Sequence, residues 1–248
     1  MDLVLLNSLI SALFISLLSF FGVLTFVFKD NIVKKISMFL VAFSTGALLG
    51  GAFFHLLPEI DGKMPEIDAY SLLLFGIILF YLLERILKWR HCHSDEGCDV
   101  HTFTYMSLFG DGIHNFIDGM VIVAAFNVSV EVGFATVIAI ASHEIPQEMG
   151  DFGVLIHGGF SKNKALFWNF ISALTAVAGV LVGYLLSKYT DNVSLALLPF
   201  AAGGFIYVAM SDLIPELHKE PGLKKSLVSF AIFSVGLIFM YVTKILFE

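Results

Sequence analysis

The sequence has few charged residues: Asp, Glu, Lys and Arg together make up 14% of its 248 residues. Ordinary soluble domains carry about 25%, whereas 58% of this chain is hydrophobic and its mean hydropathy is +0.88. Polar stretches are short and leave no room for a soluble domain between the apolar segments. The composition excludes an ordinary water-soluble protein and indicates a single integral membrane domain over residues 1–248, with the lipid bilayer as its partner.

Cysteine and basic residues are also scarce. The two cysteines, Cys92 and Cys98, fall in one polar loop and provide no disulfide framework of the kind that small secreted proteins use. The formal net charge is -7, and we expect no nucleic acid partner. The first apolar segment begins at Leu3 without a basic region or a small-residue cleavage site before or after it, so we expect a retained helix and not a signal peptide.

Apolar runs long enough to cross a bilayer, which takes about 20 residues per helix, recur along the whole chain. They predict eight spans, at about 3–28, 36–57, 69–87, 103–125, 132–157, 165–187, 195–214 and 225–246. The expected fold class is an all-α membrane protein with eight transmembrane helices.

Basic residues predict the orientation of this bundle. Eleven of the 14 lie in or beside the loops after the first, third, fifth and seventh spans, namely Lys29, Lys34, Lys35, Arg85, Lys88, Arg90, Lys162, Lys164, Lys219, Lys224 and Lys225. The positive-inside rule places these loops in the cytoplasm. Both termini are then extracytoplasmic, in the plasma membrane or inner membrane of the cell.

An internal repeat links the second and seventh spans. Residues 43–59, FSTGALLGGAFFHLLPE, align with residues 200–216, FAAGGFIYVAMSDLIPE, at a constant offset of 157. A second match joins the first and sixth spans, while the third and eighth match weakly. Spans five helices apart cross in opposite directions, so the pattern predicts an inverted 3+2+3 repeat around an unduplicated central pair, which is typical of alternating-access transporters.

The fourth span carries several polar side chains. In FGDGIHNFIDG, Asp111, His114 and Asp118 are three and four residues apart and share one helix face, with Asn115 beside them. Such groups are expensive in a bilayer, at about 2.5–3.5 kcal/mol for a charged side chain at its centre. They must therefore face water, a cation or each other.

The fifth span contains HEIPQEMGDF at residues 143–152. Partners four residues apart in it are His143 with Gln147, Glu144 with Glu148, and Gln147 with Asp151. Pro146 cannot donate to the carbonyl of Ser142, which predicts a freed carbonyl and a helix kink next to these groups.

Imidazole and carboxylate ligands together suit zinc, iron(II) and manganese(II), and the lack of thiolates in the spans argues against copper(I). A divalent cation would offset the cost of burying the carboxylates. The candidate metal ligands are His114, Asn115, Asp118, His143, Glu144, Gln147 and Glu148.

HNFIDG at 114–119, followed by HEIPQEMGDF, resembles the two signature helices of the ZIP metal-ion transporters. The number of spans, the outside termini and the repeat layout match too, so the resemblance covers nearly the whole chain. It implies a homodimeric carrier that moves zinc, or also cadmium, iron(II) or manganese(II), toward the cytoplasm. Spans 1, 4, 5 and 6 would move as a unit against spans 2, 3, 7 and 8.

The resemblance also implies two adjacent metal positions. One would use His114, Asp118, His143 and Gln147, and the other Asn115, Asp118, Glu144 and Gln147. The chain departs from the family pattern at Gln147, where many members have His or Glu. It also lacks an acidic residue in the sixth span, where Asn169 lies near the position some members use. We therefore expect one strong site and one weaker site.

Other polar residues are candidates for the ion pathway: His55, Glu59, Asp111, Asp151, His157, Asn169, Asp212 and Glu216. The ends of the second and seventh spans point to opposite sides. Their acidic residues therefore flank an entrance and an exit, or else are solvated helix ends. His157 is either a boundary histidine or an exit ligand.

The loop at residues 90–101, RHCHSDEGCDVH, contains His91, Cys92, His93, Cys98 and His101. Its composition is typical of metal-binding tracts, although no complete zinc motif is present. A flexible linker and a metal-catching or regulatory loop both remain open.

Two other functions fit part of the pattern. His143-Glu144 resembles the start of the H-E-x-x-H motif of zinc hydrolases. Gln147 replaces the second His, however, and Pro146 disturbs the geometry, so we expect no enzyme. A gated divalent-cation channel is the remaining alternative, and the inverted repeat favours a carrier.

Overall fold

The computed structural model describes residues 2–23, 30–89, 100–189, 191–219 and 222–247. These residues form helices and connecting turns, with no strand among them. The helices are α1 (Leu3–Leu18), α2 (Asp30–Gly50), α3 (Glu66–Trp89), α4 (Val100–Val128), α5 (Val130–His157), α6 (Lys162–Ala173), α7 (Thr175–Tyr189), α8 (Asp191–Val208), α9 (Ile214–His218) and α10 (Leu223–Phe247). The expected all-α fold class is confirmed.

Seven helical stretches in the described ranges are long and apolar enough to cross a membrane. They are Leu3–Val23, Met38–Ile60, Glu66–Ile86, Ser107–Val128, Lys162–Lys188, Val193–His218 and Leu223–Leu246. They match seven of the eight predicted spans. The predicted fifth span corresponds to α5, which is long enough but carries Glu144, Glu148 and Asp151, so its crossing of the membrane stays a prediction.

Three helix pairs pack closely along their length: α4 with α7, α2 with α10, and α3 with α8. Between α4 and α7 the backbones nearly touch, because a Cβ at Gly119 would collide with the carbonyl of Ala176, and one at Gly179 with that of Phe116. Small residues allow this approach in membrane bundles. Reciprocal glycine contacts also join the other two pairs, through Gly46 and Gly236 and through Gly76 and Gly203.

Both α2 and α8 continue into a π-helical turn that precedes a proline. The turns are Gly51–Leu56 before Pro58 and Ala209–Leu213 before Pro215. In the first, the Leu57 N–H donates to the Ala52 carbonyl five residues earlier, at 3.0 Å. Proline has no N–H for the regular helical bond, and a wider turn accommodates that loss.

A single residue separates α4 from α5. Ser129 caps α5, where its hydroxyl accepts a hydrogen bond from the Val132 N–H at 3.1 Å. The tight connection makes the two helices antiparallel neighbours, which brings the middle of α4 beside the middle of α5.

The α5 helix runs without interruption through Pro146. The Ser142 carbonyl, which cannot receive an N–H from Pro146, accepts a hydrogen bond from the Ser44 hydroxyl of α2, which it shares with the Leu40 carbonyl at 2.6 Å. The carbonyl freed by proline is therefore satisfied by a neighbouring helix, while the predicted kink stays a prediction.

Candidate metal centre

Four side chains of α4 and α5 meet in the centre of the bundle: His114, Asp118, His143 and Glu144. Each offers one ligand atom, and these atoms all lie within 4.8 Å of one another. The Nε2 atoms of His114 and His143 are 3.1 Å apart. The His114 nitrogen lies 3.7 Å from Asp118 and 3.4 Å from Glu144, and the His143 nitrogen lies 3.4 Å and 3.5 Å from the same carboxylates. We refer to these four residues as the histidine cluster.

The spacing in the histidine cluster matches a tetrahedral zinc site. Zinc binds nitrogen and oxygen at about 2.0–2.2 Å, so the ligands of a regular tetrahedron are separated by about 3.3–3.6 Å. Three of the ligand separations, at 3.4–3.5 Å, fall in that range, and two more, at 3.1 and 3.7 Å, lie within 0.2 Å of it. The four side chains could hold one divalent cation with little rearrangement.

Neighbouring groups orient the two imidazole rings. The Nδ1 atom of His143 lies 3.2 Å from the carbonyl of Ala139, which favours a proton there and leaves Nε2 as the metal ligand. The rings of Phe80 and Phe205 lie edge-on to His114 and His143, each with centroids 5.9 Å apart. The rings are thus fixed by one hydrogen bond and by aromatic packing.

A second group of possible ligands consists of the carboxylates of Asp111, Glu144 and Glu148, which we call the carboxylate cluster. It shares Glu144 with the histidine cluster. All three side chains are buried. Three carboxylates at this distance repel one another strongly unless a cation lies between them.

Amide side chains surround the carboxylate cluster. Asn115 and Gln147 donate to the same Asp111 oxygen at 2.9 and 3.3 Å. On α6, Asn169 donates to a Glu148 oxygen at 2.5 Å. The amides therefore contact the carboxylates, and the structure brings together most of the residues singled out on α4 and α5.

Several buried oxygens of the two clusters have no hydrogen-bond donor among the described residues. They are Asp111 Oδ2, Asn115 Oδ1, Asp118 Oδ2, both carboxylate oxygens of Glu144, Glu148 Oε1 and Asn169 Oδ1. Buried polar atoms without a partner are rare in proteins, because each one costs about 1–3 kcal/mol. A concentration of acceptors without donors is the arrangement that a cation satisfies.

A cavity of about 460 Å³ reaches the histidine cluster from one end of the bundle. His114 and His143 line its inner part. Glu84, Asp151 and Asp212, which lie toward the C-terminal ends of α3, α5 and the α8–α9 segment, line it nearer that end. The lining of the cavity therefore extends from the histidine cluster toward the end of the bundle that the basic residues predict to be cytoplasmic.

Apolar packing lies on the opposite side of the histidine cluster. One turn further along α4 are Val121 and Ile122, and one turn earlier on α5 are Ala139 and Ile140, all at most 1% exposed. These residues belong to the main apolar core. The described lining of the cavity thus leads to one side of the cluster only.

Two predicted pathway residues in the turns that extend α2, His55 and Glu59, form contacts within the bundle. The His55 ring Nε2 lies 2.9 Å from the carbonyl of Met240 and 3.2 Å from the hydroxyl of Thr243, both on α10. Glu59 pairs with Lys63 at 3.0 Å and with Lys244 at 3.4 Å. These contacts tie α2 to α10, and the pathway role of the two residues stays a prediction.

The remaining pathway candidates differ in their positions. Asp151 accepts a hydrogen bond from Ser107 at 3.1 Å and, like Asp212, lines the cavity. Glu216 pairs with Lys219 at 2.5 Å at the surface. Outside the described residues lie His91, Cys92, His93 and Cys98, together with the side chains of His101 and His157.

The sequence analysis did not single out Glu84 and Tyr207. Glu84 lies on α3 and lines the cavity, where the Tyr207 hydroxyl donates to its carboxylate and the Ser211 hydroxyl lies 3.4 Å away. The position of Glu84, an acidic residue inside the predicted third span, could have indicated its place in the cavity. Asp111, which the sequence indicates only as a pathway residue, lies four residues before Asn115 on one helix face and belongs to the carboxylate cluster.

The chain matches a family model and several curated proteins. The family model, described as ZIP zinc transporter, matches residues 88–244. The metal cation symporter ZIP14 of Xenopus tropicalis is 32% identical over 280 residues, covering 83% of this chain and 60% of that protein. The zinc transporter zipt-7.1 of Caenorhabditis briggsae is 28% identical over 276 residues, covering 83% of this chain and 70% of that protein.

The human zinc transporter ZIP10 is 37% identical over 147 residues, which cover 54% of this chain and 18% of ZIP10. The chain therefore spans only part of these three relatives, from 18% to 70% of their lengths.

Proposed function

Because this chain belongs to the ZIP zinc transporter family, we propose that it carries divalent metal cations across a membrane, with zinc as the principal ion. The histidine cluster carries the proposal, since its four ligand atoms have the spacing of a zinc site and lie at the inner end of a cavity. Cadmium, iron(II) and manganese(II) use the same ligand types and are secondary candidates. The names of the relatives, zinc transporter and metal cation symporter, support transport.

The carboxylate cluster is a second, weaker metal position in this proposal. It consists of oxygen ligands and shares Glu144 with the histidine cluster. The amides of Asn115, Gln147 and Asn169 contact it as neutral groups, so they add little attraction for a cation. An ion held loosely here is suited to release into the cavity.

The one-sided cavity supports alternating access over an open channel. Buried apolar residues separate the histidine cluster from the side opposite the cavity. A carrier in this state exchanges ions with the cytoplasm, the side to which the positive-inside rule assigns this end of the cavity. Ions bound from outside would then be released toward the cytoplasm.

An inverted repeat gives such a carrier its two states. The π-helical turns occupy matching positions before Pro58 and Pro215, which are 157 residues apart, the same offset as the sequence repeat. The glycine contacts between α2 and α10 have counterparts between α8 and α3. Both features support the 3+2+3 arrangement, with α4 and α5 as the unduplicated pair.

A homodimer is the expected assembly. The least buried of the seven apolar stretches are Glu66–Ile86 of α3 and Leu223–Leu246 of α10. Their exposed faces include Leu74, Ile78, Phe230 and Ile238. These two helices are the place where a second copy would pack.

Zinc uptake into liposomes tests the proposal. Mutating a residue that only hydrogen-bonds to a metal ligand lowers metal affinity or activity about 10–100-fold. Loss of a ligand itself should have at least the larger of these effects. His114→Ala or His143→Ala should therefore lower zinc uptake by at least about 100-fold. His218→Ala, at an exposed position at the end of α9, is the matched control and should leave uptake unchanged.

Unchanged uptake in His143→Ala would contradict the proposed site. Trans-stimulation separates the mechanisms, because zinc inside the liposomes accelerates entry through a carrier and not through a channel. Hydrolysis of a peptide substrate by purified protein, lost in the same variants, would instead favour an enzyme.

A further inference from the structure

A second concave surface lies on the opposite side of α4 from the metal clusters. It is a groove of about 470 Å³ between α4 and the α6–α7 segment. Tyr105, Phe109 and Trp168 contribute to its rim and are 39–62% exposed. Ile171 and Ala178 extend it along α6 and α7. A volume of this size is typical of pockets that hold small molecules, about 300–1,000 Å³.

The floor of the groove is apolar, although the polar residues Ser172 and Thr175 contribute to it. The Ser172 hydroxyl donates to the Leu108 carbonyl at 2.9 Å, and the Thr175 hydroxyl donates to the Gly112 carbonyl at 2.6 Å. Both hydroxyls are thus used in holding α6 and α7 against α4. The groove offers little to a polar ligand and suits a hydrocarbon chain.

Positive charge lies at one end of the groove. Lys164 is one helical turn before Trp168 on α6, and both are exposed. The Lys164 ammonium lies 4.0 Å from the centre of the Phe160 ring, which packs edge-on against Tyr105 at 5.6 Å. Lys162 is exposed two residues earlier, at the start of α6. Contacts from the Lys164 ammonium through Phe160 to Tyr105 therefore connect this positive charge with the rim of the groove.

We propose that this groove binds an anionic phospholipid, with one acyl chain between α4 and the α6–α7 segment and the headgroup phosphate near Lys162 and Lys164. Tryptophan and tyrosine at the rim fit the boundary between headgroups and hydrocarbon. Each lysine near the membrane surface attracts anionic lipids of the cytoplasmic leaflet, and these two lysines are on the predicted cytoplasmic side.

A second copy of the chain is a poorer occupant. Large apolar surfaces for helix packing are present on α3 and α10, the least buried of the apolar stretches. The groove is concave and narrow, and it has a cationic end. An acyl chain with a negative headgroup matches both its shape and its charge.

The groove shares a wall with the metal cavity. Phe109 and Ile113 line both spaces. On the other side of these residues α4 presents Asp111 and His114 to the metal clusters. A lipid in the groove therefore contacts the helix that carries three of the proposed metal ligands.

Tryptophan fluorescence can test the lipid site without any transport measurement. The chain has two tryptophans, so Trp89→Phe leaves Trp168 at the rim as the only one. This protein is reconstituted in phosphatidylcholine vesicles containing a small, fixed fraction of phosphatidylglycerol, with bromine on the acyl chains of either lipid in turn. Bromine quenches tryptophan on contact, so we expect quenching per brominated lipid to be several-fold greater for phosphatidylglycerol.

Two pairs of variants locate the site. Lys162→Gln with Lys164→Gln should remove the preference, whereas Lys224→Gln with Lys225→Gln, at the start of α10, should retain it. Ala178→Phe should lower quenching by filling the groove, and Ala231→Phe, exposed on α10, should not.

Equal quenching per brominated lipid for phosphatidylcholine and phosphatidylglycerol would overturn the headgroup assignment. The same preference in both lysine pairs would do so as well. Full quenching in Ala178→Phe would overturn the placement of the chain. The lysine variants are at exposed positions, so the outcome does not depend on the folding of Ala178→Phe alone.

Discussion

The ring nitrogens of His114 and His143 lie 3.1 Å apart, although the residues are 29 positions apart and on different helices. Their rings are nearly perpendicular, at 82°, with centroids separated by 5.3 Å. Two neutral imidazoles that each have a free nitrogen lone pair at this distance repel, unless a proton or a metal ion lies between them. The short α4–α5 connection through Ser129 keeps the two helices side by side, so the two rings lie close together at the proposed metal site.

Replacing Gln147 with histidine should strengthen metal binding. The Gln147 amide lines the cavity and donates to Asp111 at 3.3 Å, where an imidazole would add a nitrogen ligand. We expect zinc affinity to rise by at least about tenfold, the smallest effect typical of groups around a metal site. Competition with a coloured chelator measures it, and Gln147→Ala is the control for loss of the amide. Equal affinity and metal preference in all three proteins would refute a role for position 147.

Asn169→Asp should make the second metal position stronger. The Asn169 amide donates to buried Glu148 at 2.5 Å, so an aspartate removes that donor and adds a negative charge. Without metal, the free energy of unfolding should fall by about 1–3 kcal/mol. With zinc, stability should recover as the number of bound ions per chain approaches two.

Thermal unfolding in detergent and metal analysis of the purified protein measure the two effects of Asn169→Asp. Asn163→Asp, exposed on the same helix, is the control and should change neither. If zinc failed to restore stability in Asn169→Asp, the carboxylate cluster would not be a metal position.

The contact between Ser44 and Ser142 should depend on Pro146. Ser44→Ala leaves the Ser142 carbonyl without a donor and should cost about 0.5–2 kcal/mol, as interhelical hydrogen bonds do in membrane proteins. In a Pro146→Ala background, the new N–H can reach that carbonyl, so Ser44→Ala should cost less. A double-mutant cycle of unfolding free energies gives the coupling.

Ser71→Ala removes a hydroxyl that bonds only within α3 and serves as the control for this cycle. Additive effects of the Ser44 and Pro146 substitutions would show that the hydroxyl does not compensate for proline.

Asp212 and Glu216, which lie four residues apart near the end of the seventh predicted span, should behave differently. Asp212 lines the cavity, whereas Glu216 pairs with Lys219 at the surface. Asp212→Asn should lower the maximal rate of zinc uptake several-fold, because the cavity loses an attractive charge along the route. Glu216→Gln should leave the rate unchanged. Equal rates for both variants in liposome uptake would remove Asp212 from the pathway.

Sequence periodicity predicts well which residues share a face of one helix. Asp118 and His114 lie four residues apart on α4, so their shared face follows from helix geometry. Apolar run length likewise predicts the seven stretches that could cross the membrane. For α5, the buried ligands lower the hydropathy, so its position in the membrane depends on its neighbours and not on its own composition.

Contacts between distant segments were not predictable in this way. Ser44 reaches the Ser142 carbonyl across 98 residues, and Tyr207 reaches Glu84 across 123. No local pattern encodes such pairs, because the packing of whole helices determines them. Asp111 is an intermediate case. The sequence predicts which face of α4 it lies on, but its proximity to Glu144 and Glu148 depends on how far α4 and α5 are shifted along each other.

Phe109 and Ile113 form a wall one side chain thick between the metal cavity and the lipid groove. If the two proposals hold, this wall separates the hydrocarbon chain of a lipid on one side from a doubly charged ion on the other. The field of an ion extends well beyond one side chain in a medium of low dielectric constant. The bilayer at this groove is therefore part of the electrostatic environment of the ion.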